Sequence, residues 1–132
     1  MKRLSFPRSK RITSSRRFKA ILARGLRAGE GMLVLYAAEN NCDYARLGVS
    51  VGKSCGNAVV RNRLKRLLRE VFRQSQDGIA AGFDYLIIVS PKRLNKHNDT
   101  SAGAKEAVKR LTYERIKDSF VALANRATGK IG

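Results

Sequence analysis

The chain has 132 residues, with 28 Lys and Arg against 10 Asp and Glu, a formal net charge of +18 and 43% hydrophobic residues. That length predicts a single domain, and the apolar content suffices for a modest core, which excludes a disordered basic tail. Such an excess of one sign repels itself unless a polyanion is near, and the longest apolar run, Tyr85 to Val89, is too short to cross a membrane, so nucleic acid is the favoured partner and no membrane partner is expected.

Residues 1–12 carry Lys2, Arg3, Arg8, Lys10 and Arg11 with almost no apolar periodicity. They are predicted to form a flexible basic arm that orders only on RNA or on the domain surface, leaving residues 13–132 as the domain. No apolar segment of the signal-peptide kind follows the first cations, so a cytoplasmic protein is expected. Thr13, Ser14 and Ser15 are candidate N-caps for a short helix through Arg24, in which Phe18, Ile21 and Leu22 recur at helical spacing and Gly25 is the candidate C-cap. Met32 to Ala38 and Ala45 to Val51 read as strands, and the turn-prone Asn40, Asn41 and Asp43 between them make an antiparallel hairpin the economical pairing. In the second strand Leu47, Val49 and Val51 alternate with Arg46, Gly48 and Ser50, so one side faces a core. The other side is lined by small residues and is open enough to admit a strand of nucleic acid.

Residues 57 to 73 are the most informative segment. Asn57 is its candidate N-cap, and Val60, Leu64, Leu67, Leu68, Val71 and Phe72 fall on one helical arc about 140° wide. Lys65, Arg66, Arg69 and Arg73 project from the far side. Arg61 lies at the edge of the apolar arc, where its stem can pack while its guanidinium reaches out, and Asn62 sits among the cations. A neutral, directional hydrogen-bonding residue in that place points to recognition. Gly78 to Gly82 ends the helix, and Phe83 to Ser90 is a near-continuous apolar strand of the kind buried on both sides.

After Pro91 a polar loop holds His97, the one histidine, and Ala104 to Leu111 forms a short helix or the start of the last one. Ile116, Phe120, Leu123 and Ala127 mark that last helix, from about Thr112. The order helix, hairpin, helix, strand, helix predicts an α+β fold, an α/β sandwich with helices packed on a small central sheet. Cys42 and Cys55 have no CxxC spacing and no nearby His, so no metal or redox site is expected. Without HxxxH, DxD or paired carboxylates, no catalytic residue is assigned, and Glu70 is expected to orient Arg66 or Arg73. An autonomous nuclease is therefore disfavoured, as is a double-stranded DNA binder, for lack of helix-turn-helix spacing. A ribosomal protein or RNA chaperone would account for the charge and stays open on composition.

The segment GNAVVRNRLKRLLRE at residues 56–70 closely resembles the RNR motif of the protein component of bacterial ribonuclease P. Arg61, Asn62, Arg63, Lys65, Arg66 and Arg69 stand at that family's spacing, after Lys53 and the Gly56-Asn57-Ala58-Val59 approach. RRFKAILARG at 16–25, LVLYAA at 33–38, RLGVSVGK at 46–53 and FDYLIIV at 83–89 extend the resemblance over roughly residues 8 to 127. It implies a compact fold with a left-handed βαβ crossover, against the usual right hand. It also implies an endoribonuclease subunit that is inactive alone, working with a catalytic RNA that carries the reaction centre and binds the Mg2+ ions. The partners so implied are that RNA and precursor tRNA, whose 5′ leader is removed; no organic cofactor and no small-molecule substrate are implied.

By the same resemblance, Arg61, Asn62, Arg63, Lys65, Arg66 and Arg69 form the RNA-binding motif. Phe18, Tyr36, Ser50 and Lys53 line the leader cleft, with Leu22 where many members place a second aromatic. Arg17, Arg73, Lys92 and Arg93 are further candidate RNA contacts. Aromatic faces stack unpaired bases while cations track phosphates, which holds single strands with little sequence preference. From spacing alone, Phe18 suits the core better than a ligand contact, and Tyr36 can pack its ring while exposing its hydroxyl. The polar stretch from Lys96 to Gly103 is longer than is usual in the family.

Overall fold

Two apolar runs, Leu33–Glu39 and Phe83–Val89, lack the polar alternation of a half-exposed strand and need cover on both faces. The computed structural model describes residues 10–91, 108 and 110–129, and it sets these runs side by side at the centre of a four-stranded sheet. The elements run α1 (Ser15–Arg24), β1 (Leu26–Glu30), β2 (Leu33–Glu39), β3 (Arg46–Val51), α2 (Ala58–Ser75), β4 (Phe83–Val89) and α3 (Tyr113–Gly129). Strand order is β1-β2-β4-β3, with β2 antiparallel to β1 and β4, and β3 parallel to β4. The result is the expected α+β fold, in which α2 is the crossover of a parallel βαβ unit.

The hairpin expected between residues 32–38 and 45–51 does not form, because β4 lies between the two strands. A β2–β3 hairpin would leave β4 on an edge, whereas insertion gives this most apolar strand a hydrogen-bonded neighbour on each side. The hairpin partner of β2 is β1, absent from the sequence reading, and its register runs from Leu26 opposite Ala37 to Glu30 opposite Leu33. Gly31 and Met32 make the two-residue connection. Gly31 takes φ 59, the left-handed region that a tight hairpin of this hand favours at its first central position.

The sheet has unequal faces. On one, Leu35, Leu47, Tyr85 and Ile87 pack with Leu64, Leu68, Val71 and Phe72 of α2 and Ile116, Phe120, Leu123 and Ala127 of α3. The apolar stripes read from both helices are thus the ones buried. Phe120 sits edge-on to Phe72 and to Tyr85, with ring centroids 6.2 Å apart in each pair. The Tyr85 hydroxyl donates to the Ala80 carbonyl at 2.7 Å, and burial pushes its pKa well above the usual value. The opposite face carries a smaller cluster of Ile12, Ile21, Ala38 and Leu86, with Phe18, Tyr36 and Ile88 partly buried against it.

Asn57 caps α2 as expected, its Oδ1 accepting from the Val60 N–H at 3.1 Å. Gly25 ends α1, donating to the Ile21 carbonyl at 2.7 Å, but with an extended backbone at φ −75. Of the expected basic arm, residues 10–12 lie along the domain. The Ile12 N–H donates to the Leu47 carbonyl at 2.8 Å, and Lys10 Nζ donates to Gln76 Oε1 at 2.9 Å while lying 5.8 Å from the Tyr44 ring centroid. The rest of the arm, Lys92, Arg93, His97 and the stretch from 96 to 107 fall outside the described residues.

A buried polar network closes the β2–β3 connection. Arg46 donates to both oxygens of Asp84, at 2.6 and 2.9 Å, and this bonding holds its pKa above the usual guanidinium value. Asn40 Nδ2 donates to Asp84 at 3.0 Å and to the Tyr44 carbonyl at 3.1 Å, while its Oδ1 accepts from the Cys42 N–H at 2.8 Å. The Arg46 and Asp84 side chains are only 15% and 6% exposed. Asp84→Ala should therefore lower the unfolding free energy by about 3 kcal/mol in urea titration, because it strands a mostly buried cation. A loss below about 1 kcal/mol would place the pair among solvent-screened surface bridges instead.

Candidate nucleic-acid interface

Burial of Leu64, Leu68, Val71 and Phe72 fixes the rotation of α2, and with it the direction of every charged residue between them. Asn62, Lys65, Arg66, Arg69, Glu70 and Arg73 line a surface groove of about 500 Å³, together with Arg11 from the segment that precedes α1. Glu70, the one acid in that lining, accepts from Arg73 Nε at 3.1 Å and from Gln74 Nε2 at 3.2 Å. The Arg73 hydrogen bond holds the Glu70 carboxyl below its usual pKa. Of the two partners expected for Glu70, Arg73 is therefore the bonded one. Five cations share the groove with one ion-paired carboxylate, so its field is strongly positive.

The remaining motif residues stand elsewhere. Arg61 is half-buried, with its Nε enclosed and without an acceptor among the described residues. It lies near Cys55, where its charge favours the thiolate, but burial outweighs it and pushes the thiol's pKa up. Arg63 is exposed, and its Nη2 donates to the Leu111 carbonyl at 2.7 Å, tying α2 to the segment that leads into α3. The spacing that groups these residues in sequence thus distributes them over three places: the groove, the rim of the core and the α2–α3 junction.

The second surface is the sheet face under α1. Strand register places Arg27, Tyr36, Leu86 and Gly48 in one row across the sheet, and Gly29, Val34, Ile88 and Ser50 in the next. Phe18 reaches down from α1 onto Gly48: a β-carbon there would lie 2.7 Å from Phe18 Cε1 and 3.3 Å from Ile12 Cβ. Glycine is what lets the ring approach so closely. Tyr36 stands two strands away, roughly 10 Å at ordinary strand spacing. Phe18, Tyr36, Ile88 and Ser50 are all half-buried, so the strip is part packed and part open. Leu22 follows Phe18 by one helical turn and is 44% exposed. Arg17 is exposed on the same helix, and Lys53 is exposed in the 3-10 turn Lys53–Cys55 that joins β3 to the head of α2.

Phe18 and Tyr36 are both packed against the smaller cluster and only partly buried there. Arg11 is read from sequence only as one cation of the basic arm, not as a site residue. Its neighbour Ile12, the apolar anchor of that segment, is isolated and carries no periodicity that would mark a docked strand. Among the described residues no three His, Cys, Asp or Glu side chains converge on a metal position, both cysteines are free, and no helix is long and apolar enough to cross a membrane.

Comparison with known proteins matches this arrangement. The Ribonuclease P family profile covers residues 6–112. The chain is 36% identical over 121 residues to the ribonuclease P protein component of Brevibacillus brevis, spanning 91% of this chain and 84% of that one. It is 37% identical over 118 residues to that of Clostridium botulinum, spanning 89% and 93%. The ribonuclease P protein from Thermotoga maritima superposes with a TM-score of 0.73 at 29% identity, covering 88% of this chain and 96% of that one. A mutant Staphylococcus aureus ribonuclease P protein superposes with a TM-score of 0.69 at 28% identity, covering 91% and 89%. With a family profile over most of its length and relatives 36% and 37% identical over about nine tenths of it, the chain belongs to the ribonuclease P protein family, the protein component of the ribonucleoprotein that processes the 5′ end of tRNA.

Proposed function

We propose that this subunit holds the catalytic RNA of ribonuclease P on the outward face of α2 and the single-stranded 5′ leader of precursor tRNA on the open sheet face. The observation that carries this reading is the succession of two unlike surfaces along one path. A strip of half-exposed aromatics and small residues crosses the sheet, β3 leads from it through Lys53, and the cationic face of α2 follows. Unpaired bases need flat apolar partners, whereas a folded RNA presents mainly phosphates. Asn62, among the cations, adds a neutral donor and acceptor suited to a base edge or a ribose hydroxyl.

The protein's part in the reaction is binding and orientation. Glu70 in the groove and Asp84 at the end of the sheet are held in ion pairs with Arg73 and Arg46, and the Tyr85 hydroxyl is bonded inside the core. Magnesium ions, which supply the activated water in this chemistry, are assigned to the catalytic RNA, and the cytoplasm is the compartment in which that RNA and precursor tRNA meet the protein.

Replacing Lys65 and Arg66 together with Ala should reduce the log-log salt slope for binding the catalytic RNA by roughly 1.4 to 1.8, at 0.7 to 0.9 per phosphate contact. An unchanged slope would move the RNA off α2. Arg63→Ala should in addition cost about 1 kcal/mol of folding stability, since it removes the bond to Leu111, and thermal unfolding would show no such loss for Lys65→Ala or Arg66→Ala. On the sheet face, Phe18→Ala and Tyr36→Ala should each weaken binding of leader-bearing precursor to the holoenzyme by roughly 1 to 3 kcal/mol, with little effect on mature tRNA. Equal losses for both substrates would assign the two rings to packing alone.

A further inference from the structure

Arg11 belongs neither to the motif helix nor to a strand, yet it lies across the groove from α2. Its position is fixed by its neighbours on both sides. Ile12 is 3% exposed in the cluster under α1, with its N–H bonded to Leu47, and Lys10 is bonded to Gln76 just beyond the end of α2. Extended backbone alternates its side chains, so burying Ile12 turns Arg11 outward. A bare helix face is convex and meets a nucleic-acid backbone from one side only. The docked segment changes that shape, because it raises a second cationic wall opposite Lys65, Arg66 and Arg69.

We propose that Lys10–Ile12 is the second wall of an RNA-binding groove and that Arg11 contacts the phosphodiester backbone lying in it, a role that rests on α2 being an RNA-binding face. The two non-bridging oxygens of a phosphate point to opposite sides of the backbone, so a strand in such a groove is bonded from both walls. Anchoring at residues 10 and 12 also holds Arg11 near its bound position before RNA arrives, which lowers the entropy lost on contact.

The test is the salt dependence of binding of the full chain to a bacterial ribonuclease P RNA, and of precursor tRNA to the assembled holoenzyme. Arg11→Ala should lower the slope by one contact, roughly 0.7 to 0.9, and Arg11→Lys should restore it. A reduced slope in the first arm identifies the backbone as that of the catalytic RNA; one confined to the second identifies it as that of the precursor. Both support Arg11 as an RNA contact. If Lys65→Ala lowers the slope and Arg11→Ala does not, the second wall is refuted while the reading of α2 stands. If neither does, that reading falls as well. A lowered unfolding temperature with no change in slope would make Arg11 a structural residue and overturn the proposal.

Discussion

The burial of β4 is the constraint on which the rest of this structure depends. Phe83–Val89 is too apolar to lie on an edge, so it takes β2 on one side and β3 on the other. Because β3 precedes it in the chain and runs parallel to it, the connection must cross one face of the sheet, and that crossover is α2. A helix in that place has to present Leu64, Leu68, Val71 and Phe72 inward. Once it does, Lys65, Arg66, Arg69 and Arg73 are turned outward, and the cationic groove is a consequence of core packing.

The same arrangement makes the two faces of the sheet unequal. α2 and α3 together fill one face, while the short α1 covers part of the other and leaves Tyr36, Ile88 and Ser50 half-exposed. Gly48 has its role in this asymmetry, since any larger residue would lift Phe18 off the sheet. An incompletely covered face is ordinarily a weakness in a small domain. Under the proposed function it is the partly apolar floor for a single strand, and the Arg46–Asp84–Asn40 network steadies the sheet at one end of it.

What could be read from sequence divides along the range of the interactions. The α2 and α3 stripes, the Asn57 cap and the fully buried β4 were legible because each is written in residues less than two turns or a few strand positions apart. β1 was not, because Leu-Arg-Ala-Gly-Glu contains no β-branched or aromatic residue and forms only as the partner of β2. The β2–β3 hairpin was misassigned because local turn signals say nothing of a strand that arrives more than 30 residues later to separate them. The motif itself was legible as a pattern, but its distribution in space was not. Arg63 meets Leu111 and Arg11 comes to share a groove with α2 through tertiary structure that no periodicity encodes.

On the proposed function, the protein shapes and steers RNA while the RNA performs the cleavage. The most direct measurement of that division of labour is 5′-leader removal from a precursor tRNA at low magnesium, comparing this chain alone, a bacterial ribonuclease P RNA alone, and the two together. The expected result is no product from the protein alone and efficient cleavage by the pair at magnesium concentrations where the RNA alone is nearly inactive. Cleavage by the protein alone, or failure to stimulate the RNA, would contradict it.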